Sequence, residues 1–285
     1  MPPAAEGAER LRFLGGRGEA ARSLAKLFPD CAPDQLFISE ESWPELSGCL
    51  VILFTSRSGS TYLSREIASR YRLGHIGESL NPPQLRSRAA KAGLRSPAAA
   101  LRHSVRVLSE EGWFGFKAGT VGVTVAERSG FMPQFIAKTH FVLLFRRDLA
   151  AQAVSAVKAQ WTGRFHSTQT ETRVARESDY AREAILRKAR SMVRGMRALD
   201  AYARASGRPV AKLFYEDYAQ GDFTSAMGVC DAFTLPRRTE PKNDPARAVS
   251  KIGDALNETW LRRFREEGGA EAADLLEQYE QLMRA

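Results

Sequence analysis

The stretch C-L-V-I-L-F-T-S-R-S-G-S-T-Y-L-S, Cys49 to Ser64, changes character halfway along. Cys49 to Phe54 is a continuous apolar run of strand length, the pattern of a strand buried on both faces of a parallel sheet. Thr55 to Thr61 then supplies a row of hydroxyls, the guanidinium of Arg57 and the unrestricted backbone of Gly59. Leu63, Ile67 and Tyr71 follow at helical spacing. The segment predicts a strand, a loop and the N-terminus of a helix.

Such a loop suits an anion, because the first helical turn leaves backbone N–H groups without partners and its macrodipole favours negative charge. It departs from the nucleoside-triphosphate loop G-x-x-x-x-G-K-[ST] by lacking the first glycine and the lysine. Ser and Thr ahead of a helix also act as ordinary N-caps, so the loop alone leaves both readings open. A second segment bears on the choice. From Phe141 the chain reads F-V-L-L-F-R-R-D-L-A-A-Q-A-V-S-A-V-K-A, a further buried strand and then a helix from Leu149 opened by Asp148. Arg146 therefore falls at the carboxyl end of a strand, where open α/β sheets bind ligands. Ser155 falls about two turns into the helix.

With S-R-S-G-S-T after one strand and R-x-D followed by Q-A-V-S after another, the chain resembles the PAPS-dependent sulfotransferases, in the bacterial branch of trehalose sulfotransferases and nodulation-factor sulfotransferases. The resemblance runs from Cys49 to Phe264. It implies an α/β fold: one domain over residues 49–285 with a mostly parallel central sheet flanked by helices and a P-loop-like phosphosulfate-binding loop, preceded by a peripheral segment, 1–48. It further implies that Arg57, Ser58, Gly59, Ser60 and Thr61 hold the 5′-phosphosulfate of 3′-phosphoadenosine-5′-phosphosulfate (PAPS), and that Arg146 and Ser155 hold its 3′-phosphate. Lys251, near the C-terminus, is a further candidate for the 3′-phosphate. By the same resemblance Arg57 stands where animal cytosolic sulfotransferases carry a lysine, no metal is needed, and the acceptor is a small molecule or glycan, a carbohydrate or glycolipid hydroxyl.

The glutamate of the G-E motif in G-H-I-G-E-S-L-N-P-P, Glu78, is the acceptor base implied by the resemblance, with His75 the alternative. His75 to Ile76 reads as a short strand that would put Glu78 just past its end. Lys117 closes the strand G-W-F-G-F-K and faces either the sulfuryl group or acceptor, or else solvent. Trp161, Arg164, Phe165 and His166 lie in a polar stretch after the second motif, placed either to frame the acceptor or to anchor the loop. Pro82 to His103 reads as a loop before a helix from Pro97, and Gly268 to Ala285 as an exposed helix. Glu216 and Asp217, in Y-E-D-Y, are expected to cap a helix rather than do chemistry.

Composition bounds the rest. In 285 residues, 44% of them hydrophobic, there is enough apolar material for a sizeable core and no run long enough to span a bilayer. Three widely spaced cysteines and acidic residues in the first 30 positions point to a cytoplasmic protein without a signal peptide. The net charge of +9 suits an anionic ligand and would equally suit nucleic acid or peripheral contact with an acidic membrane. Much of it lies on a helix near Ser178 to Ala205, where it reads as a solvated face. No nucleic-acid partner is expected, and a homodimer is compatible with the sequence. The rival readings are a divergent P-loop phosphotransferase and a non-catalytic nucleotide- or nucleic-acid-binding protein.

Overall fold

The structure, a computed structural model, describes residues 7, 9–14, 17–39, 41–165, 169–242 and 253–285. Two of the residues singled out from the sequence, His166 and Lys251, lie outside this set.

Four parallel strands form one sheet in the order β2-β1-β3-β4: β1 Gly48–Phe54, β2 Trp113–Ala118, β3 Thr139–Phe145 and β4 Val210–Phe214. All seven residues of β1 are buried, as its unbroken apolar run requires. Alternate side chains serve opposite faces. Cys49, Val51 and Leu53 join Phe114, Phe116, Phe141, Leu143 and Phe145 in one cluster, while Leu50, Ile52, Phe54, Val142 and Leu144 join another.

The second cluster is covered by helices α2 (Ser60–Arg70) and α10 (Thr224–Ala232), through Leu63, Ile67, Met227 and Cys230. The first is covered by α1 (Arg17–Leu27), α3 (Pro82–Lys91), α4 (Pro97–Leu108), α5 (Thr120–Arg128), α6 (Phe131–Phe135), α7 (Leu149–Thr162), α8 (Arg182–Ala205), α11 (Ala255–Glu267) and α12 (Gly269–Arg284). Helix α9 is the short turn Tyr215–Tyr218 after β4. Leu24, Phe28 and Leu46 of the N-terminal segment belong to the same first cluster.

Because the chain leaves β1 for β2 on one side and then crosses to β3 on the other, the strand order reverses at the carboxyl end of β1. That is the position at which open α/β sheets leave a crevice. Residues 55–59 occupy it.

Three elements differ from the sequence reading. His75 and Ile76 form no strand: the segment runs beside β2 through Gly115 N to Leu73 O and Lys117 N to Gly77 O, and only Gly77 bridges to Phe116. Gly74 breaks the ladder with φ +65, its α-carbon so close to Leu108 O that a Cβ would lie 1.6 Å from it. Residues 82–91 are helix rather than loop, started by two prolines whose fixed φ suits a first turn and whose missing N–H groups are not needed there. The C-terminal helix α12 is not exposed all round. Ala272, Leu275 and Tyr279, spaced three and four apart, are buried, and α12 also pairs with the basic face of α8 through Glu271 to Arg190 and Gln278 to Arg197. Met192 and Met196 of α8 are in the core.

Candidate active site

Loop 55–59 joins β1 to α2 with two residues in the left-handed region, Arg57 at φ +67 and Gly59 at φ +78. Only glycine fits the second. A Cβ on Gly59 would lie 2.3 Å from Cδ2 of Tyr215, whose ring lies against the loop, and the hydroxyl of Tyr218 donates to Ser58 O at 3.4 Å. Gly59→Ala is therefore expected to cost at least about 1–2 kcal/mol from backbone strain alone, before the clash with Tyr215 is counted. Denaturant unfolding measures it; a variant as stable as the parent would show that the loop can shift away from Tyr215.

The site has two ends. At one, Lys117 of β2 is 4% exposed and reaches the start of α2, donating to Thr61 Oγ1 at 2.7 Å and Ser60 Oγ at 3.3 Å. Its ammonium also lies 3.6 Å from Oε1 of Glu78. Burial pulls the Lys117 pKa down; the carboxylate of Glu78 opposes this, and the charge of Arg65 adds to it. The other carboxylate oxygen of Glu78 accepts from Asn81 Nδ2 at 3.1 Å, so the side chain is held from both sides while remaining partly exposed. Lys117 thus faces the loop hydroxyls, not solvent. His75 is exposed.

At the other end, Arg57 turns away from α2. Its Nε donates to Ser155 Oγ at 3.0 Å and its NH1 to Phe165 O at 2.5 Å, while Arg146 NH1 donates to Arg57 O at 3.3 Å. Burial first, and then the neighbouring Arg146, lower the Arg57 pKa. The mutual repulsion of the two guanidinium groups is relieved by an anion bound beside them. Arg146 also lies over the Tyr215 ring, 5.2 Å from its centroid. Asp148 caps α7 as its position implied, accepting from Ala151 N at 2.8 Å. Glu216 and Asp217 both engage Arg147, through its backbone N–H at 3.0 Å and its NH1 at 2.6 Å.

Trp161 sits in the last turn of α7, with Arg173 stacked 3.7 Å above its ring centroid. Phe165 is exposed and contributes its carbonyl to Arg57. Arg164 and Lys158 line a recess with Arg57, Ser155, Glu171 and Asn257. Among the described residues no group of three or more His, Cys, Asp or Glu could hold a metal ion, and no helix is long and apolar enough to cross a membrane.

Two contributors escaped the sequence reading. Gln152, fully buried on α7, donates its amide to Ser56 O at 2.8 Å and Thr55 Oγ1 at 3.0 Å. A polar side chain three residues before Ser155, in the apolar first half of the helix, was the available signal. Tyr215 left none, because its contacts join the end of β4 to a loop more than 150 residues away.

The parallel sheet thus carries, at its switch point, loop 55–59 with a carboxylate and a buried lysine beside it, an arrangement suited to group transfer. The Stf0 sulphotransferase family model matches residues 124–267, just over half of the 285. The chain belongs to this family and is a sulfotransferase. The match takes in β3, α7, β4 and α11, with Arg146 and Ser155, and leaves loop 55–59, Glu78 and Lys117 outside it. Among solved structures, the sulfotransferase domain from the Synechococcus PCC 7002 olefin synthase is similar at 15% identity and a TM-score of 0.45, over 85% of this chain and 98% of that one. No curated protein matches the chain.

Proposed function

We propose that this sulfotransferase takes its sulfuryl group from PAPS and delivers it to an acceptor hydroxyl, that of a carbohydrate or glycolipid, with Glu78 as base. The observation that carries the reading is the contact of Lys117 with both Thr61 Oγ1, at 2.7 Å, and Glu78, at 3.6 Å. A cation and a carboxylate stand together at the head of α2, the helix that this reading assigns to the donor's phosphosulfate.

The residues present suit the donor. Ser58 Oγ and Arg146 Nε are buried without a hydrogen-bond partner in the protein, one in each phosphate cradle. Ser58, Gly59, Ser60 and Thr61 would receive the phosphosulfate on hydroxyls and backbone N–H groups. Arg146 and Ser155 would receive the 3′-phosphate, with the guanidinium of Arg57 turned to that end by its bond to Ser155. Glu78 takes the proton of the acceptor hydroxyl as its oxygen bonds to sulfur. Lys117 and the loop N–H groups stabilise the charge that builds as the bond from sulfur to the bridging oxygen breaks and adenosine 3′,5′-bisphosphate leaves.

Calorimetric titration with adenosine 3′,5′-bisphosphate and with adenosine 5′-monophosphate, at one salt concentration, tests the donor. The bisphosphate is expected to bind far more tightly. Arg146→Ala should weaken the bisphosphate about 10- to 100-fold, the scale of a lost charge-assisted bond, and barely affect the monophosphate. Equal binding of both nucleotides by the parent protein would rule the donor out.

A further inference from the structure

Gln152 joins the two ends of the site. Its amide nitrogen lies 2.8 Å from Ser56 O, 3.0 Å from Thr55 Oγ1 and 3.4 Å from Thr55 O. Turning the amide over would set its oxygen against two carbonyls, so the chemistry fixes which end faces the loop. Its own Oε1 is buried without a partner, and the whole residue is inaccessible. Burying an amide among Ala153, Val154 and Val157 costs free energy that an apolar residue would not.

The contacts run in order along one stripe of α7. Gln152 takes Thr55 and Ser56, and Ser155, three residues on, takes Arg57. Gly195 of α8 also comes near Thr55: a Cβ there would be 3.3 Å from Thr55 Cγ2. The helix that carries Ser155 and follows Arg146 therefore also holds the root of the phosphosulfate loop.

We infer that Gln152 is a positioning residue that sets the separation between the phosphosulfate loop and the 3′-phosphate cradle, and thereby the requirement for a donor phosphorylated at both ends. The inference rests on the donor reading above. Two anions on one nucleoside reinforce each other only when their cradles are already held at the matching distance. A loop released from α7 still binds the 5′ end, but the 3′-phosphate then adds less.

Gln152→Met keeps the length of the side chain and removes its hydrogen bonds. The quantity to measure is the ratio of affinities for adenosine 3′,5′-bisphosphate and adenosine 5′-monophosphate, by calorimetry on the full chain. The ratio is expected to fall about tenfold from its parent value with the monophosphate nearly unchanged. In turnover the loss should appear in KM for the donor more than in kcat. A clear ratio in the parent that Gln152→Met leaves intact overturns the role, as does an equal weakening of both nucleotides. A parent ratio near one instead removes the donor reading itself. Should Gln152→Met fail to fold, Thr55→Val deletes one of the acceptors with little change of shape. It should lower the ratio about threefold, and no change would again overturn the inference.

Discussion

Glu78→Gln is expected to bind adenosine 3′,5′-bisphosphate as the parent does and to lose turnover by about two to four orders of magnitude, the scale of a missing general base. The substitution preserves size and can keep the contact with Asn81, which now reaches Glu78 at 3.1 Å. It removes the basicity and the negative charge 3.6 Å from Lys117. Single-turnover rates at saturating donor, compared with the bisphosphate affinity measured separately, divide chemistry from binding. Turnover close to that of the parent would transfer the proton to another group, with exposed His75 the first to replace by alanine. The contact of Glu78 with Lys117 is the reason to rank it ahead of His75.

Lys117→Met should lower kcat by about two to three orders of magnitude, the range found when one preorganised donor is removed from developing charge. Its volume can be filled by methionine, so the fold should survive. The same residue sets a pH limit. In the proposed mechanism Lys117 acts as a cation, and its burial lowers its pKa, with Arg65 reinforcing and Glu78 opposing that shift. Activity that needs the ammonium is then lost as pH rises through a value below the ordinary lysine range of about 10.4. The methionine variant should lack that alkaline fall. An alkaline limb identical in parent and variant would assign it to a different group and leave Lys117 a structural role.

Some of this was readable in the residues alone. An uninterrupted apolar run of strand length leaves little choice but a strand buried on both faces, and β1 and Phe141 to Phe145 of β3 are both such runs. The S-R-S-G-S-T and R-x-D…Q-A-V-S segments placed hydroxyls and guanidinium groups at strand ends, because the ends of buried strands in a parallel sheet gather on one edge. Asp148 at the head of α7 follows from the local chemistry of an N-cap.

What periodicity cannot report is which distant groups meet. Residues 82–91 read as loop since Pro82, Pro83 and scattered arginines mask a narrow stripe of Leu85 and Ala89. The segment before Glu78 reads as strand because the turn at Gly74 depends on how closely Leu108 O approaches it. Lys117 is one strand-end lysine in sequence, and only the pairing of β2 beside β1 aims it at Ser60 and Thr61. Gln152 and Tyr215 likewise take their meaning from loop 55–59. Sequence by itself determined the four strands of the sheet, the cap at Asp148 and the chemical types at the site, all of which are settled by interactions between near neighbours along the chain. Tertiary structure decided which cation stands beside which hydroxyl, because those contacts join residues brought together only when the sheet closes around its core.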